Sequence, residues 1–244
     1  MLKTKIMSTD IRSQAPKRLK HYTVPQGACC DGKHIYIAFE QKAKGGRPHR
    51  IKIAKLDAET MKVIKVSGAL KLGHANDLCI RDGIIYATHS AGSKVIHRVN
   101  AKTLKQKKGI NVKVPKKYAK KGIKAFNGIS TYGKSGFLVR VMGGRGMAIL
   151  NKKMKVVKFF RTDTNHETSQ GMYTDGKTIL RAYSKGQSGN NRVAEYSMQG
   201  KELDYVKIEI KGEMECIWMH GGEIYVTTYI KKGGKRKAYI AWIR

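Results

Sequence analysis

Acid, cysteine and long apolar runs are all scarce in this chain, and each scarcity narrows what it can be. Asp and Glu number 17 against 50 Lys and Arg in 244 residues. Chemistry that sets two carboxyl groups across a sugar therefore has few residues to draw on. The four cysteines are Cys29, Cys30, Cys79 and Cys216. They form no CxxC or Cys/His spacing of the kind zinc takes, and are too few to staple a fold. Buried thiols are expected, not a disulfide framework. No window approaches the ~18 apolar residues that a membrane-spanning helix needs. The opening residues, Met1–Asp10, are basic but lack the apolar core of a secretory signal. Taken at face value that points to the cytoplasm, with export by another route left open. No cofactor and no metal is expected.

Glycine, by contrast, is plentiful at 26 residues, and it recurs in a pattern. Ser169–Leu180 reads as two short strands around the Asp175-Gly176 turn, a strong hairpin signal. Six residues before that turn glycine stands Gln170. The same step back from Gly32, Gly83, Gly133 and Gly221 reaches Gln26, Asp77, Asn127 and Glu215. Each copy continues as a run of β-formers, a loop, a third strand and a fourth. Asp57-Ala58-Glu59-Thr60 and Asn100-Ala101-Lys102-Thr103 are matching turns between the third and fourth strands.

Four strands per unit of about 40–50 residues is the signature of a propeller blade. The fold expected is all-β: a five-bladed β-propeller with four-stranded blades starting near 26, 77, 127, 170 and 215. The fifth unit runs out after three strands, and the alternating run Arg18–Val24 is expected to join it and close the ring. Residues 1–16 are expected to be a loose arm and 17–244 one domain. A β-sandwich would leave the five-fold repeat without a cause.

In a propeller the first strand of each blade lines the axis. Gln26, Asp77, Asn127, Gln170 and Glu215 are then expected to form a polar ring there. Asn76 lies at its rim, and Trp218 stands three residues beyond Glu215 on the same strand. These residues are the candidate ligand-binding set. Asp77 and Glu215 are the ring's carboxylates; with His74 and His166 they form an alternative catalytic set. His74 with Glu215, or His166 with Asp77, are conceivable ligand pairs, although a hydrogen-bonded structural role is the commoner fate of such histidines.

The net charge of +33 is the outlying property, and a field of that strength attracts polyanions. Three loops concentrate it. The first carries Lys42, Lys44, Arg47 and Arg50; the second Lys116, Lys117, Lys120 and Lys121; the third Lys231, Lys232, Lys235 and Arg236. Few aromatics are interleaved, Tyr118 being the clearest, so phosphate-type contact suits these loops better than base stacking. The partner expected is an anionic polymer, either a cell-wall polymer or nucleic acid, and the chain is expected to be a monomer.

Ser169-Gln170-Gly171 with Asp175-Gly176, then Glu213-Met214-Glu215-Cys216-Ile217 and the strand Glu223–Tyr229, resemble the C-terminal part of the helveticin J-like bacteriocins. The similarity is clearest over Gly73–Leu78 and Ser169–Arg244. It implies a compact all-β propeller and a secreted or surface-associated, non-enzymatic antibacterial protein; it transfers no catalytic residue. The function expected is thus a binding protein whose basic surface engages an anionic polymer. The alternatives are a glycan-active hydrolase or lyase using the axial carboxylates, and an intracellular nucleic-acid-associated scaffold.

Overall fold

Anchored turns fold the chain into successive antiparallel meanders. In the first, Asp31 Oδ1 accepts the N–H groups of Lys33 at 3.0 Å and His34 at 2.7 Å, and Gly32 takes a left-handed φ of +94°. Asp175 and Gly176 repeat the device, with Lys177 and Thr178 donating at 2.8 and 2.9 Å. Between the third and fourth strands, Asp57 Oδ1 and Asn100 Oδ1 each accept the N–H three residues on, both at 2.8 Å. Those are the Asx turns their matching sequences predict.

The computed structural model describes residues 2–41, 50–89, 93–164, 166 and 168–244. A strand β1 (Leu2–Ile6) and a short helix α1 (Pro16–Leu19) come first. The first sheet is β2 (Tyr22–Cys30), β3 (His34–Gln41), β4 (Arg50–Asp57) and β5 (Val63–Val66). The second is β6 (Leu78–Arg81), β7 (Ile84–Ala87), β8 (Val95–Asn100) and β9 (Gln106–Asn111). Helix α2 (Lys116–Ala119) leads to the third: β10 (Phe126–Tyr132), β11 (Gly136–Val141), β12 (Gly146–Leu150) and β13 (Val156–Arg161). A fourth antiparallel run is β14 (Ser169–Thr174), β15 (Thr178–Ser184), β16 (Asn191–Ser197) and β17 (Glu202–Glu209). The last is β18 (Glu213–His220), β19 (Glu223–Lys232) and β20 (Lys235–Ile243). These two runs share one eight-stranded sheet, because β1 pairs antiparallel with β20 and parallel with β17.

The second strands β3, β11 and β15 are buried on both faces, which is why Ile35–Phe39 reads as an unbroken apolar run with no alternation. Each apolar cluster is shared between successive runs. Leu78 and Ile85 pack on Tyr36 and Ile53, and Ile129 and Val139 on Cys79 and Ile96. Ile179 and Ala194 pack on Leu138 and Met147, and Ile217 and Val226 on Leu180 and Ala182. Cys216, Trp218 and Ile240 then pack on Ala28, Ile37 and Leu56, returning the series to its start. The first strands touch in the same cyclic order, β2 to β6, β10, β14, β18 and back to β2. The architecture is all-β and propeller-like.

The ring-closing strand differs from the one expected. Arg18 lies in α1, and Tyr22–Val24 run directly into β2 instead of joining the last meander. Pro25 does not end the strand: it lies opposite Phe39, between register shifts at Tyr22/Val24 and Pro25/Ala28. The closing strand is Leu2–Ile6, with Thr4 opposite Ile243 and Ile6 opposite Ala241. Nor is the rest of the opening segment loose. Ser8 Oγ and Asp10 Oδ1 accept the N–H groups of Ile240 and Ala238 at 2.9 and 3.1 Å, and Ile11 is fully buried.

Candidate ligand-binding mouth

The ring positions are set by a repeated irregularity. Register shifts fall between Pro25 and Ala28, Phe126 and Gly128, Ser169 and Met172, and Met214 and Cys216. Gln26, Asn127, Gln170 and Glu215 all sit inside these bulges, released from the ladder and turned towards the axis. Glycine lets the strands come close enough. A Cβ on Gly27 would lie 2.5 Å from the Asp77 Cα, and one on Gly171 would lie 2.9 Å from the Cys216 Cα.

Asp77 is the centre of the arrangement, but as a latch. It is fully buried. Its Oδ2 accepts the N–H groups of Ile129 at 3.0 Å and Met172 at 3.1 Å; its Oδ1 accepts that of Leu78 at 3.1 Å, with Cys216 Sγ at 3.6 Å. Cys216 Sγ in turn receives the Ala28 N–H at 3.0 Å. One carboxyl and one thiol thus tie every meander to the others across the axis. Burial pushes the Asp77 carboxyl up to about 8, against the pull of the Ile129 and Met172 N–H groups. Asp77 belongs to the expected ligand-binding and alternative catalytic sets; in the structure both its oxygens accept backbone N–H groups of the fold beneath the mouth. Trp218, of the same ligand-binding set, is buried with Ile37 and Ile240 and stacks on Tyr225.

Above this floor the first strands begin, and their side chains form the mouth. Glu213 opens β18 and is half-buried; Tyr229 donates its hydroxyl to Glu213 Oε2 at 2.5 Å, and Gln170 Nε2 donates to Oε1 at 3.4 Å. Glu215, deeper, is 4% exposed; burial, then Glu213 and Glu40, push its carboxyl well above the usual range, with Arg236 pulling the other way. Glu40 holds His74 Nδ1 at 2.7 Å. Gln26 is buried; Asn76 and Asn127 are half-buried, their Oδ1 atoms sealed from solvent without a hydrogen-bond partner. On the opposite side of the ring, Arg140 is 7% exposed and donates to the Ser169 carbonyl at 3.1 Å. Burial and the neighbouring Arg181 lower its pKa to about 10. The mouth is acid-rich where the last meander meets the first, and guanidinium-lined between the third and fourth.

His166 lies further out. Its ring stacks flat on Tyr205 at 3.6 Å, and its Nε2 is 2.6 Å from Glu202 Oε2, so it serves the outer strands and does not face Asp77. Among the described residues no three His, Cys, Asp or Glu side chains are arranged to hold a metal ion. Glu40, Arg140 and Tyr229 belong to the mouth but were not singled out by the repeat. Each stands near the end of a second strand, opposite a first-strand residue at the mouth. A charged residue closing the apolar run Ile35–Phe39 was the available signal for Glu40.

Basic segments of the described chain stand at the same end as this mouth. Tyr22 pairs with Gln41 and Gln41 with Arg50, so the end of β3 and the start of β4 stand beside the start of β2. The Lys231–Lys235 tip follows the same rule beside Glu213, Tyr229 and Ala238. Lys121 meets the Gly143–Gly146 loop, Arg145 and Arg161 around a groove of about 290 Å³. Lys116, Lys117 and Lys120 are exposed beside it, whereas the Tyr118 hydroxyl is bound to the Val157 carbonyl at 2.6 Å. Lys42, Lys44 and Arg47, and the side chain of Lys232, lie outside the described residues. The turns at the other end of the ring carry Asp31, Asp57, Glu59, Asp82, Asp175 and Glu223. The far turns thus carry six carboxylates, whereas Glu40 and Glu215 on the near side are buried in the mouth.

No family model and no curated protein matches the chain. Solved structures do. Glutaminyl cyclase of Myxococcus xanthus is similar with a TM-score of 0.66 at 10% identity, over 100% of this chain and 96% of that one. The tail fibre of Staphylococcus aureus phage P68 gives 0.67 at 17% identity, over 99% of this chain, which spans only 52% of the fibre chain. A GH43 β-xylosidase/α-arabinofuranosidase from a compost microbial metagenome gives 0.60 at 11% identity, over 99% and 95%. At these identities the likeness is one of fold.

Proposed function

We propose that the chain is a five-bladed propeller, its eight-stranded sheet being two blades stapled by β1, and that the face around the mouth binds an anionic polymer. The cyclic series of shared apolar clusters supports five blades. One observation carries the binding reading: the described basic segments, residues 116–121 and 231–237, stand on the mouth face while most turn carboxylates stand on the far one. Long-range attraction then favours one orientation of approach.

The test is binding of heparin, wall teichoic acid and duplex DNA at several salt concentrations. Replacing Lys116, Lys117, Lys120 and Lys121 with Gln should weaken binding at least tenfold and flatten its salt dependence. Replacing the far-face residues Lys33, Lys134, Lys177 and Lys201 with Gln removes the same charge and should cost much less. Equal losses would end the reading. Preference for teichoic acid over DNA supports a cell-surface role, and killing of susceptible bacteria the helveticin J-like one; recovery of cross-linked RNA or DNA from cells supports the intracellular alternative.

A second reading, a glycan-active hydrolase or lyase, draws on Glu40, Glu213 and Glu215 sharing the mouth inside a basic rim. Asp77 drops out of it. Glu213→Gln and Glu215→Gln should each lower turnover of an anionic glycan by about a hundredfold; unchanged turnover rules it out.

A further inference from the structure

A groove of about 660 Å³ lies between the opening segment and the β19–β20 hairpin, on the mouth face. Its wall carries Arg12, Lys231, Lys235, Arg236 and Lys237, with Thr23 at its base. Arg12 is half-buried and fixed by backbone carbonyls alone: Nε donates to Tyr22 at 3.2 Å, Nη2 to Lys20 at 3.5 Å and Nη1 to Arg236. Arg236 stacks over the Tyr229 ring at 5.4 Å and donates to Thr23 Oγ1 at 3.4 Å. Both guanidinium groups are therefore held in place before any ligand arrives, so little side-chain freedom remains to be lost on binding.

The charges here do not balance. Burial lowers the Arg12 pKa, and Arg236 lowers it further, opposed by Asp10. Asp10 is the carboxylate of the described lining, and its Oδ1 already accepts the N–H groups of Arg12 at 3.2 Å and Ala238 at 3.1 Å. Two facing guanidinium groups and three lysines thus share a partly desolvated concavity with one engaged acid. Like charges held together at reduced dielectric repel, and a compact anion between them removes that cost while gaining charge-assisted hydrogen bonds.

We propose that this groove is a discrete site for a tetrahedral oxyanion group, phosphate or sulfate, and so the place where one such group of the polymer is seated. The inference rests on the polyanion reading of the mouth face and names a subsite within it. It also ties the groove to the mouth, because the Arg236 charge favours the ionised form of the Glu215 carboxyl.

The probe is inorganic phosphate, titrated at low ionic strength while the Nε–Hε resonances of Arg12 and Arg236 are followed by NMR, with sodium chloride as the ionic-strength control. Saturable shifts with phosphate and not with chloride are expected. Lys235→Gln with Lys237→Gln, at exposed positions on the hairpin that leave the fold intact, should weaken the apparent phosphate affinity about tenfold; Arg236→Gln should abolish the shift. No saturable shift, or the same shift with chloride, overturns the proposal. If phosphate saturates the groove but no polymer is retained, the polyanion reading fails and the site stands. If polymer is retained while the arginine resonances stay still, the reverse holds.

Discussion

Asp77 shows how one residue at a repeated position can leave its fellows. Its carboxyl joins Ile129 and Met172 across the axis, so truncation strands two buried N–H groups. Asp77→Ala is expected to lower stability by about 3 kcal/mol in denaturant unfolding. Its pH dependence has a definite sign. The folded carboxyl is raised to about 8, so the folded state binds the extra proton. That stability is fully present below the unfolded carboxyl value near 4 and is lost as pH rises through about 8. The unfolding midpoint should fall between about pH 4 and 8, and Asp77→Asn should flatten that fall; an unchanged slope would place the titration elsewhere. Glycines give a second residue-scale contrast. Gly27→Ala drives a Cβ to 2.5 Å from the Asp77 backbone and should cost about 3 kcal/mol. Gly32→Ala meets open space and bears only the strain of φ +94°, about 1 kcal/mol. Thermal melts of both variants check this. Counting back from each turn glycine picked out Gln26, Asn127, Gln170 and Glu215, the residues inside the register shifts, together with Asp77. It could not give their depth, which depends on how far the neighbouring strand closes in over Gly27 and Gly171.

At the scale of elements, the strands and turns were largely legible, because Asp-Gly and Asx turns act through their own backbone and need no distant partner. The closing strand was not. Arg18–Val24 alternates well, yet that alternation is the lead-in to β2, carried past Pro25 by a bulge. Leu2–Ile6 reads weakly because it is an outer strand with Leu2 37% and Ile6 46% exposed. Its role comes from pairing, not burial. Deleting residues 2–6 should lower stability by about 3 kcal/mol through lost ladder bonds. It should also bare the margins of β17 and β20 and raise self-association. Denaturant unfolding and size-exclusion chromatography test both, and a variant that stays monomeric at wild-type stability would contradict the staple.

For the whole molecule, the charge count was plain from composition but its arrangement was not, since which loops share a face follows from strand direction. A net charge of +33 makes the folded chain repel itself. Adding salt up to about 0.5 M should therefore raise the unfolding midpoint by several degrees, at concentrations where screening reaches to within a few ångström. The same salt should release bound polymer, so stability and binding should move in opposite directions in one titration. The pairing of Thr4 with Ile243 has a consequence for how such a ring is made. That contact joins residues nearly the whole described chain apart, so it forms late in folding, after the intervening meanders have brought the two strands together.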